Sequence, residues 1–211
     1  MSMRIGYGFD SHAFQAGVPL VIGGLPIEHT EGLAGHSDGD VLLHAITDAL
    51  LGAVSAGDIG TFFPPSDPRW KGAASSVFLE TALEEVATAG YKIVNIDTVL
   101  VMAKPKIVPI ANELRESVAR LLGVRPGEVG IKAKTPEGLN QDHVAVAHAT
   151  VLLESLAVSE PEGLRTLVAE VDAASGSDDE MEVVVRGLVD DSRNVSALGR
   201  KLPGFDTDDL T

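Results

Sequence analysis

Residues 35–53 read GHSDGDVLLHAITDALLGA, and this is a loop running into a helix. Val41, Leu42, Ala45, Ile46, Ala49 and Leu50 recur with helical period and make one apolar stripe. Ser37 is a good N-cap, and Asp40 three residues on makes the pair resemble a capping box with Asp in place of Glu. Gly52 is where such a helix can begin to end. Asp40, His44 and Asp48 are each four residues apart, which stacks their side chains on one face. His36 lies just ahead of the helix N-terminus, where backbone amides attract anions. One short segment therefore offers a metal-type histidine, carboxylates that could orient it and an anion-favouring helix end. The plain alternative is an amphipathic helix whose polar face meets solvent.

Upstream, residues 4–14 read RIGYGFDSHAF. Ile5, Tyr7 and Phe9 alternate with small or polar residues, as in a half-buried strand. Asp10 and His12 are two apart, so on a strand both point to the same face. Asp10, His12 and His44 have the composition of a three-ligand metal site with an open fourth position, the catalytic arrangement of zinc. An isolated Asp-x-His is more often a surface pair, and this one gains weight only beside His44. Between the two segments, Val18–Ile22, a Gly23–Gly24 turn and Leu25–Glu28 read as a strand pair. His29 reads as an exposed histidine without a role.

Downstream, Ser55–Asp67 is rich in Gly and Pro and reads as an ordered loop, with Asp58 and Asp67 as its candidate functional acids. Turn formation is the ordinary use of such residues. Residues 76–89 read as a second helix with Val77, Leu79, Ala82, Leu83 and Val86 inward and Gly90 as its stop. Tyr91–Met102 is strand-like. Ala103–Ile107 is a loop with two lysines around a proline. Pro109 opens a third helix that buries Ile110, Leu114, Val118 and Leu121 and ends at Gly123. Val129–Lys134 is a short strand, Thr135–Gly138 a turn, and His143–Glu154 a final strand, with a helix as the alternative. This order predicts an α/β (α+β) sandwich, a mixed β-sheet with helices packed on one face. No repeat of 20 to 50 residues argues for a solenoid.

The chain has 211 residues, enough for one domain with an appendage. Residues 1–154 form the expected domain. Residues 155–211 hold thirteen Asp or Glu against five Lys or Arg, and read as an acidic, partly flexible C-terminal extension of unknown role. Within it, Leu164–Val171 could form a short helix and Met181–Val189 a strand or helix. The formal net charge of −15, with no obvious basic patch, argues against a general nucleic-acid-binding role. With no cysteine, a metal must be held by His, Asp and Glu. No long apolar run suggests a membrane span and no basic, apolar leader suggests export, so a cytoplasmic protein is expected.

GFDSHAF at 8–14, GHSDGDVLLHAITDALLGA at 35–53, GDIGTFFPPSDP at 57–68 and KAKTPEGL at 132–139 together resemble the 2-C-methyl-D-erythritol 2,4-cyclodiphosphate synthase family, from about Met3 to Glu154 and in the family's order and spacing. The resemblance implies that Asp10, His12 and His44 hold a divalent metal, usually zinc. It implies that His36 and Ser37 contact substrate phosphates, with His36 helping to position the transition state. Asp58, Ile59, Gly60 and Phe63 to Asp67 would lie around the methylerythritol part. Ala103, Pro105, Lys106 and Ile107 would take the cytidine and its phosphates. Within Ala133, Lys134, Thr135, Pro136 and Glu137, Thr135 would hold a phosphate and Glu137 would support a second metal, magnesium or manganese. The implied partners are a small cytidyl diphosphate substrate and two further copies of the chain, in a homotrimer with active sites between subunits. The implied reaction turns 4-diphosphocytidyl-2-C-methyl-D-erythritol 2-phosphate into the cyclic 2,4-diphosphate and CMP. From the residues themselves, Asp40 and Asp48 fit better as acceptors orienting a ligand histidine than as ligands.

Three features depart from the family pattern. Asn140-Gln141-Asp142-His143-Val144 stands where a longer Gly-Arg-Gly-Glu-like run is usual, so an arginine and an aromatic that line the trimer cavity have no counterpart. Pro65 replaces a more usual acid, which leaves Asp67 or the backbone to serve the methylerythritol hydroxyls. Lys134 precedes Thr135 where Thr is frequent. Two other functions fit the residues less well: a metal-dependent phosphohydrolase on the same scaffold, and a non-catalytic scaffold whose acidic extension recruits partners.

Overall fold

The computed structural model describes residues 2–139 and 141–156. The expectations for the acidic extension lie outside these residues from 157 onward, and Asn140 lies outside them too. The described chain forms β1 (Met3–Ala16), β2 (Leu20–Ile22), β3 (Leu25–Ile27), β4 (Glu31–Leu33), α1 (Val41–Ala53), α2 (Ile59–Phe62), α3 (Ser75–Thr88), β5 (Tyr91–Val101), α4 (Ala111–Leu122), β6 (Val129–Lys134) and β7 (Val144–Ser155). Single 3-10 turns cover Pro68–Trp70, Val108–Ile110 and Pro126–Glu128.

Five strands make a sheet in the order β4-β1-β7-β5-β6. β5 and β6 run parallel, and the other pairs are antiparallel, so the sheet is mixed as expected. β2 and β3 form a separate hairpin around Gly23–Gly24. One face of the sheet is buried, through Ile96 and Leu100 of β5 and Ala145, Ala147, Ala149, Val151 and Leu153 of β7. The other face of β1 shows Ile5, Tyr7 and Phe9 at 71%, 60% and 49% exposure, an apolar row too open to be core of a single chain. His143–Glu154 is thus a strand, not a helix; its alternating burial decides the point.

Two glycines set how closely the central helix lies on the sheet. A Cβ on Gly6 would stand 1.8 Å from the Ala49 carbonyl oxygen, and one on Gly8 would stand 1.9 Å from that of Ala45. No other residue fits at that spacing. Gly6, Gly8, Asp10 and His12 alternate along β1, so all four face α1. Close contact of α1 with Gly6 and Gly8 carries its N-terminal half against Asp10 and His12.

The structure corrects several expectations. α1 is no amphipathic surface helix; every residue in it except Asp48 and Gly52 is buried, as in a helix enclosed on all sides. Its N-cap is Asp40, not Ser37, and the Asp40 carboxylate accepts the Leu43 N–H. Ser55–Asp67 contains the short helix α2, capped by Asp58. β4 has no counterpart in the reading of the sequence; three residues carry too little alternation to be seen. Val77 points outward at 40% exposure, and Ser75 and Phe78 take the inward places instead. His29 is half-buried, its ring near that of Phe14. Gly123 does end α4, in the left-handed region at φ 68°. Among the described residues, no helix is long and apolar enough to cross a membrane.

Candidate metal centre

Asp10 and His12 from β1 meet His44 from α1, with ligand-type atoms all within 4.8 Å of one another. His44 Nδ1 lies 2.9 Å from Asp10 Oδ2 and 3.1 Å from His12 Nε2, and His12 Nε2 lies 2.9 Å from Asp10 Oδ2. Three donors thus converge on one point. Zinc bond lengths of about 2.0–2.1 Å in a tetrahedral site put neighbouring ligand atoms about 3.3 Å apart. The triangle here is close to that size, and two nitrogens with one carboxylate oxygen is a donor set that zinc accepts. Burial by itself would raise the Asp10 carboxyl, but hydrogen bonds and charge from His12 and His44 outweigh it and hold it well below the usual carboxylate range. Asp10 therefore stays ionised, as a metal ligand must. Its other oxygen accepts the Ser11 N–H at 2.8 Å.

The far nitrogen of His44 is also held. Nε2 lies 2.9 Å from Ser75 Oγ and 3.0 Å from Ser37 Oγ. Ser75 Oγ donates a short hydrogen bond to Asp38, whose other carboxylate oxygen accepts the Ser75 N–H at 3.1 Å. The loop before α1 and the loop before α3 are clasped by backbone bonds as well: Gly72 N–H to the His36 carbonyl at 2.7 Å, and Asp38 N–H to the Ala73 carbonyl at 2.9 Å.

Asp40 and Asp48 do not orient a ligand histidine. Asp40 is fully buried and accepts N–H groups from Gly23 at 2.9 Å, Gly24 at 2.7 Å and Leu43 at 3.1 Å. It pins the β2–β3 turn to α1. Burial pushes its carboxyl up to about 6, against the pull of those three N–H groups, and the nearby Asp38 charge adds to the rise. Asp48 accepts the Ile59 N–H at 2.8 Å and so ties α1 to α2; burial raises it too. The first turn of α1 is likewise no free anion site, because the Asp40 carboxylate already lies on it.

The other predicted site residues fall into two groups. Near the clasped loops, His36 is exposed, with Nε2 3.3 Å from the Asp67 carbonyl oxygen. Asp67 is committed to Arg69, accepting from its N–H at 3.0 Å and its guanidinium at 2.6–3.1 Å. The carboxylate expected to stand in for the acid lost at Pro65 is therefore occupied. Asp58 accepts from the Thr61 hydroxyl and N–H, and these bonds lower its pKa. Ile59 and Gly60 form the α2 turn, and Phe63 packs its ring on Phe78 and Trp70, with centroids 4.4 and 4.9 Å away. The second group lies at the ends of β5 and β6. Because these strands are parallel, Ala103, Pro105, Lys106 and Ile107 emerge at the same end as Ala133, Lys134, Thr135 and Glu137. Lys106, Lys134 and Glu137 are exposed, Ala103, Pro105, Ala133 and Thr135 half-buried, and Ile107 buried. Thr135 donates a short hydrogen bond to Glu137, which sits at φ 50°.

Reading the sequence missed Ser75, Asp38, Gly6 and Gly8. The glycines had a signal, the period of two they share with Asp10 and His12. Ser75 had none, since it meets His44 only through tertiary folding, 31 residues away.

Fold and site together define an α+β protein with an Asp10–His12–His44 group that could hold a divalent cation. A model of the YgbB family matches residues 3–154. A 2-C-methyl-D-erythritol 2,4-cyclodiphosphate synthase of Koribacter versatilis is 66% identical over 152 residues, 72% of this chain and 98% of that protein. The synthase of Aquifex aeolicus is 50% identical over 153 residues, again covering 98% of its length. A solved structure of such a synthase with CDP bound is similar at 44% identity and TM-score 0.68, over 72% of this chain and all of that one. The chain belongs to the YgbB family, that of the 2-C-methyl-D-erythritol 2,4-cyclodiphosphate synthases.

Proposed function

We propose that this chain closes the ring of 2-C-methyl-D-erythritol 2,4-cyclodiphosphate in isoprenoid biosynthesis. A 2-phosphate oxygen of 4-diphosphocytidyl-2-C-methyl-D-erythritol 2-phosphate attacks the β-phosphorus. The new P–O bond forms as the bond from that phosphorus to the bridging oxygen breaks, and CMP leaves with the electron pair. The observation that carries this reading is the Asp10–His12–His44 triangle in a chain that is 66% identical to a named synthase over 152 residues.

Nucleophile and leaving group belong to one molecule, so holding it folded is much of the catalysis. A divalent ion held by Asp10, His12 and His44 supplies positive charge for the phosphoryl oxygens. The chain's own work is binding and orientation. Lys106 and Lys134, exposed at the parallel strand ends, favour the diphosphate. Thr135 donates a hydroxyl to a phosphate oxygen in place of Glu137, and Glu137, released from Thr135, helps hold a second cation, magnesium or manganese. His36 and Ser37 contact phosphate beside the metal ligands. Asp58, Ile59, Gly60 and Phe63 border the methylerythritol part, with Asp67 acting through Arg69 and its backbone. Ala103, Pro105, Ile107 and Ala133 take the cytidine end.

The exposed row Ile5, Tyr7 and Phe9 supports burial against further copies, as a homotrimer. A sedimentation mass of one chain would contradict that assembly. The cyclase unit is residues 1–154. Phosphorus NMR of products formed from the cytidyl diphosphate substrate with zinc and magnesium tests the reaction. Cyclic diphosphate and CMP are expected; a linear, hydrolysed diphosphate would make the chain a phosphohydrolase instead.

A further inference from the structure

We propose that Ser75 and Asp38 are positioning residues that fix the tautomer and ring plane of His44 for metal binding. The inference rests on the metal reading of Asp10, His12 and His44. A neutral imidazole can ligate only through the nitrogen that carries no proton. For His44 that nitrogen must be Nδ1, the one that faces Asp10 and His12. Nε2 must then carry the proton and needs an acceptor. Two hydroxyls lie within reach, and they are not equivalent. The Ser37 hydroxyl lies 3.0 Å from Nε2 and 3.4 Å from Ser75 Oγ, so it can face Nε2 as donor or, with its hydrogen turned to Ser75, as acceptor. The Ser75 hydroxyl already donates its one hydrogen bond to Asp38. Toward His44 it has only lone pairs to offer, so it can only accept.

The chain Asp38, Ser75, His44 is therefore directional. The Asp38 carboxylate accepts a hydrogen bond from the Ser75 hydroxyl, the Ser75 oxygen accepts one from the Nε2–H, and Nδ1 is left bare toward the site. Asp38 is fixed in turn by the Ser75 N–H, and its backbone by the Ala73 carbonyl. His44 is 8% exposed and Ser75 not at all, so water cannot readily take over these bonds. In the competing tautomer, with the proton on Nδ1 toward Asp10, Nε2 could accept from the Ser37 hydroxyl alone, and the nearer Ser75 oxygen would face it with no hydrogen to give.

The test is zinc affinity, measured by competition with a chromogenic chelator, for the full-length wild type, Ser75→Ala, Asp38→Asn and Ser37→Ala. Loss of a partner of this kind weakens metal binding by about 10–100-fold. That loss is expected for Ser75→Ala and for Asp38→Asn, whose amide NH₂ can donate to Ser75 and turn its hydroxyl toward Nε2. Ser37→Ala should change affinity less than either. Cobalt-substituted Ser75→Ala should show an altered visible spectrum, which reports ligand geometry directly. Melting in EDTA separates folding from binding: a lowered melting temperature with wild-type zinc affinity and cobalt spectrum would reduce Ser75 to a structural residue and overturn the proposal. If Ser75→Ala fails to fold, the nearly isosteric Asp38→Asn decides, and wild-type affinity there overturns it equally. Wild-type protein that binds neither zinc nor cobalt would sink the metal reading itself. Weakened binding in the variants of a wild type that makes no cyclic diphosphate would leave this inference standing without the reaction.

Discussion

The metal centre and the loops at the ends of β5 and β6 are built in opposite ways. Asp10 and His12 stand on a long strand, His44 on an enclosed helix, and each is held by neighbours that are themselves held. Lys106 and Glu137 stand on exposed turns and Lys134 at the exposed end of β6, and among the described residues Thr135 is bonded to Glu137. A preformed centre suits an ion that must meet several ligands at once with little reorganisation. Exposed turns suit a large polyanion that arrives, reacts and leaves in pieces. If this contrast is right, mutations at the centre should cost metal and fold together, whereas mutations in the turns should cost turnover and leave the fold alone.

The largest effect is expected at His44. His44→Ala removes one of three ligands, so zinc content should fall to background and kcat/KM by about 10³-fold, roughly 4 kcal/mol of transition-state stabilisation. Metal analysis beside steady-state kinetics checks both. Full activity in a zinc-free variant would break the comparison at its stronger end.

Gly8→Ala should act on the fold first. The added Cβ meets the Ala45 carbonyl at 1.9 Å, a backbone atom that cannot swing aside. The helix must lift off the sheet, at a cost of about 3 kcal/mol or more, and His44 is carried away from Asp10 as it lifts. Urea unfolding should show the loss, with zinc affinity falling alongside. Wild-type stability would mean that α1 lies less tightly on β1 than described.

Thr135→Ala should do the reverse. A lost phosphate donor lowers kcat/KM by about 10²-fold, while Thr135 is only half-buried and its hydroxyl bonds an exposed carboxylate, so stability should change by about 0.5 kcal/mol. Zinc content should be unchanged. A drop in metal content here would join the two regions and dissolve the distinction.

A subtler difference lies in pH. The folded Asp40 carboxyl is raised to about 6 from an ordinary 3.8. A raised acid binds its proton more tightly in the folded state, so the stability it contributes is full below about pH 4 and is lost as pH rises through about 6. Urea midpoints of the wild type should carry that downward slope, and Asp40→Asn should lose it. Its three N–H partners lie on the β2–β3 turn and α1, so the slope reports on the buried region alone. Identical slopes in the two proteins would show that the N–H groups fully offset burial.

How far each region could be read from the sequence follows from the same construction. The convergence of the three candidate ligands was legible because strand and helix periods are local: two residues apart on β1, and one turn into a helix with a clear apolar stripe. Their supports were not. Asp40 looked like a partner for His44 because four residues separate them, yet its carboxylate turns to Gly23 and Gly24, 16 and 17 residues back. That also displaced Ser37 as the cap. Asp48 is drawn to Ile59 in the same manner, and Ser75 reaches His44 from another helix. The turns at 103–107 and 133–137 show no period at all, so their roles rested on resemblance alone, while parallel pairing of β5 and β6 puts them at one end of the sheet.

The smallest effect expected is from removing residues 157–211. The sheet is complete before that point: β7 pairs with β1 from Val144 to Glu154 and with β5 as far as Ser155 against Tyr91, and the Leu156 N–H closes on the Gly90 carbonyl. The Koribacter versatilis synthase matches this chain over 98% of its own length within 152 residues. None of the proposed ligands or contact residues lies beyond Glu137. A chain ending at Leu156 should therefore keep kcat/KM within about twofold, because tolerance of truncation follows the burial and hydrogen bonding of the backbone that remains, and every described strand keeps its pairing. Kinetics and zinc titration of the shortened chain check this, and the direction of any failure is informative. A loss of turnover with zinc affinity kept would mean that the acidic segment serves the exposed turns, where a negative chain can compete with a polyanionic substrate or help hold its cation. A loss of zinc affinity would mean that the buried centre, for all its internal support, depends on residues outside the sheet that frames it.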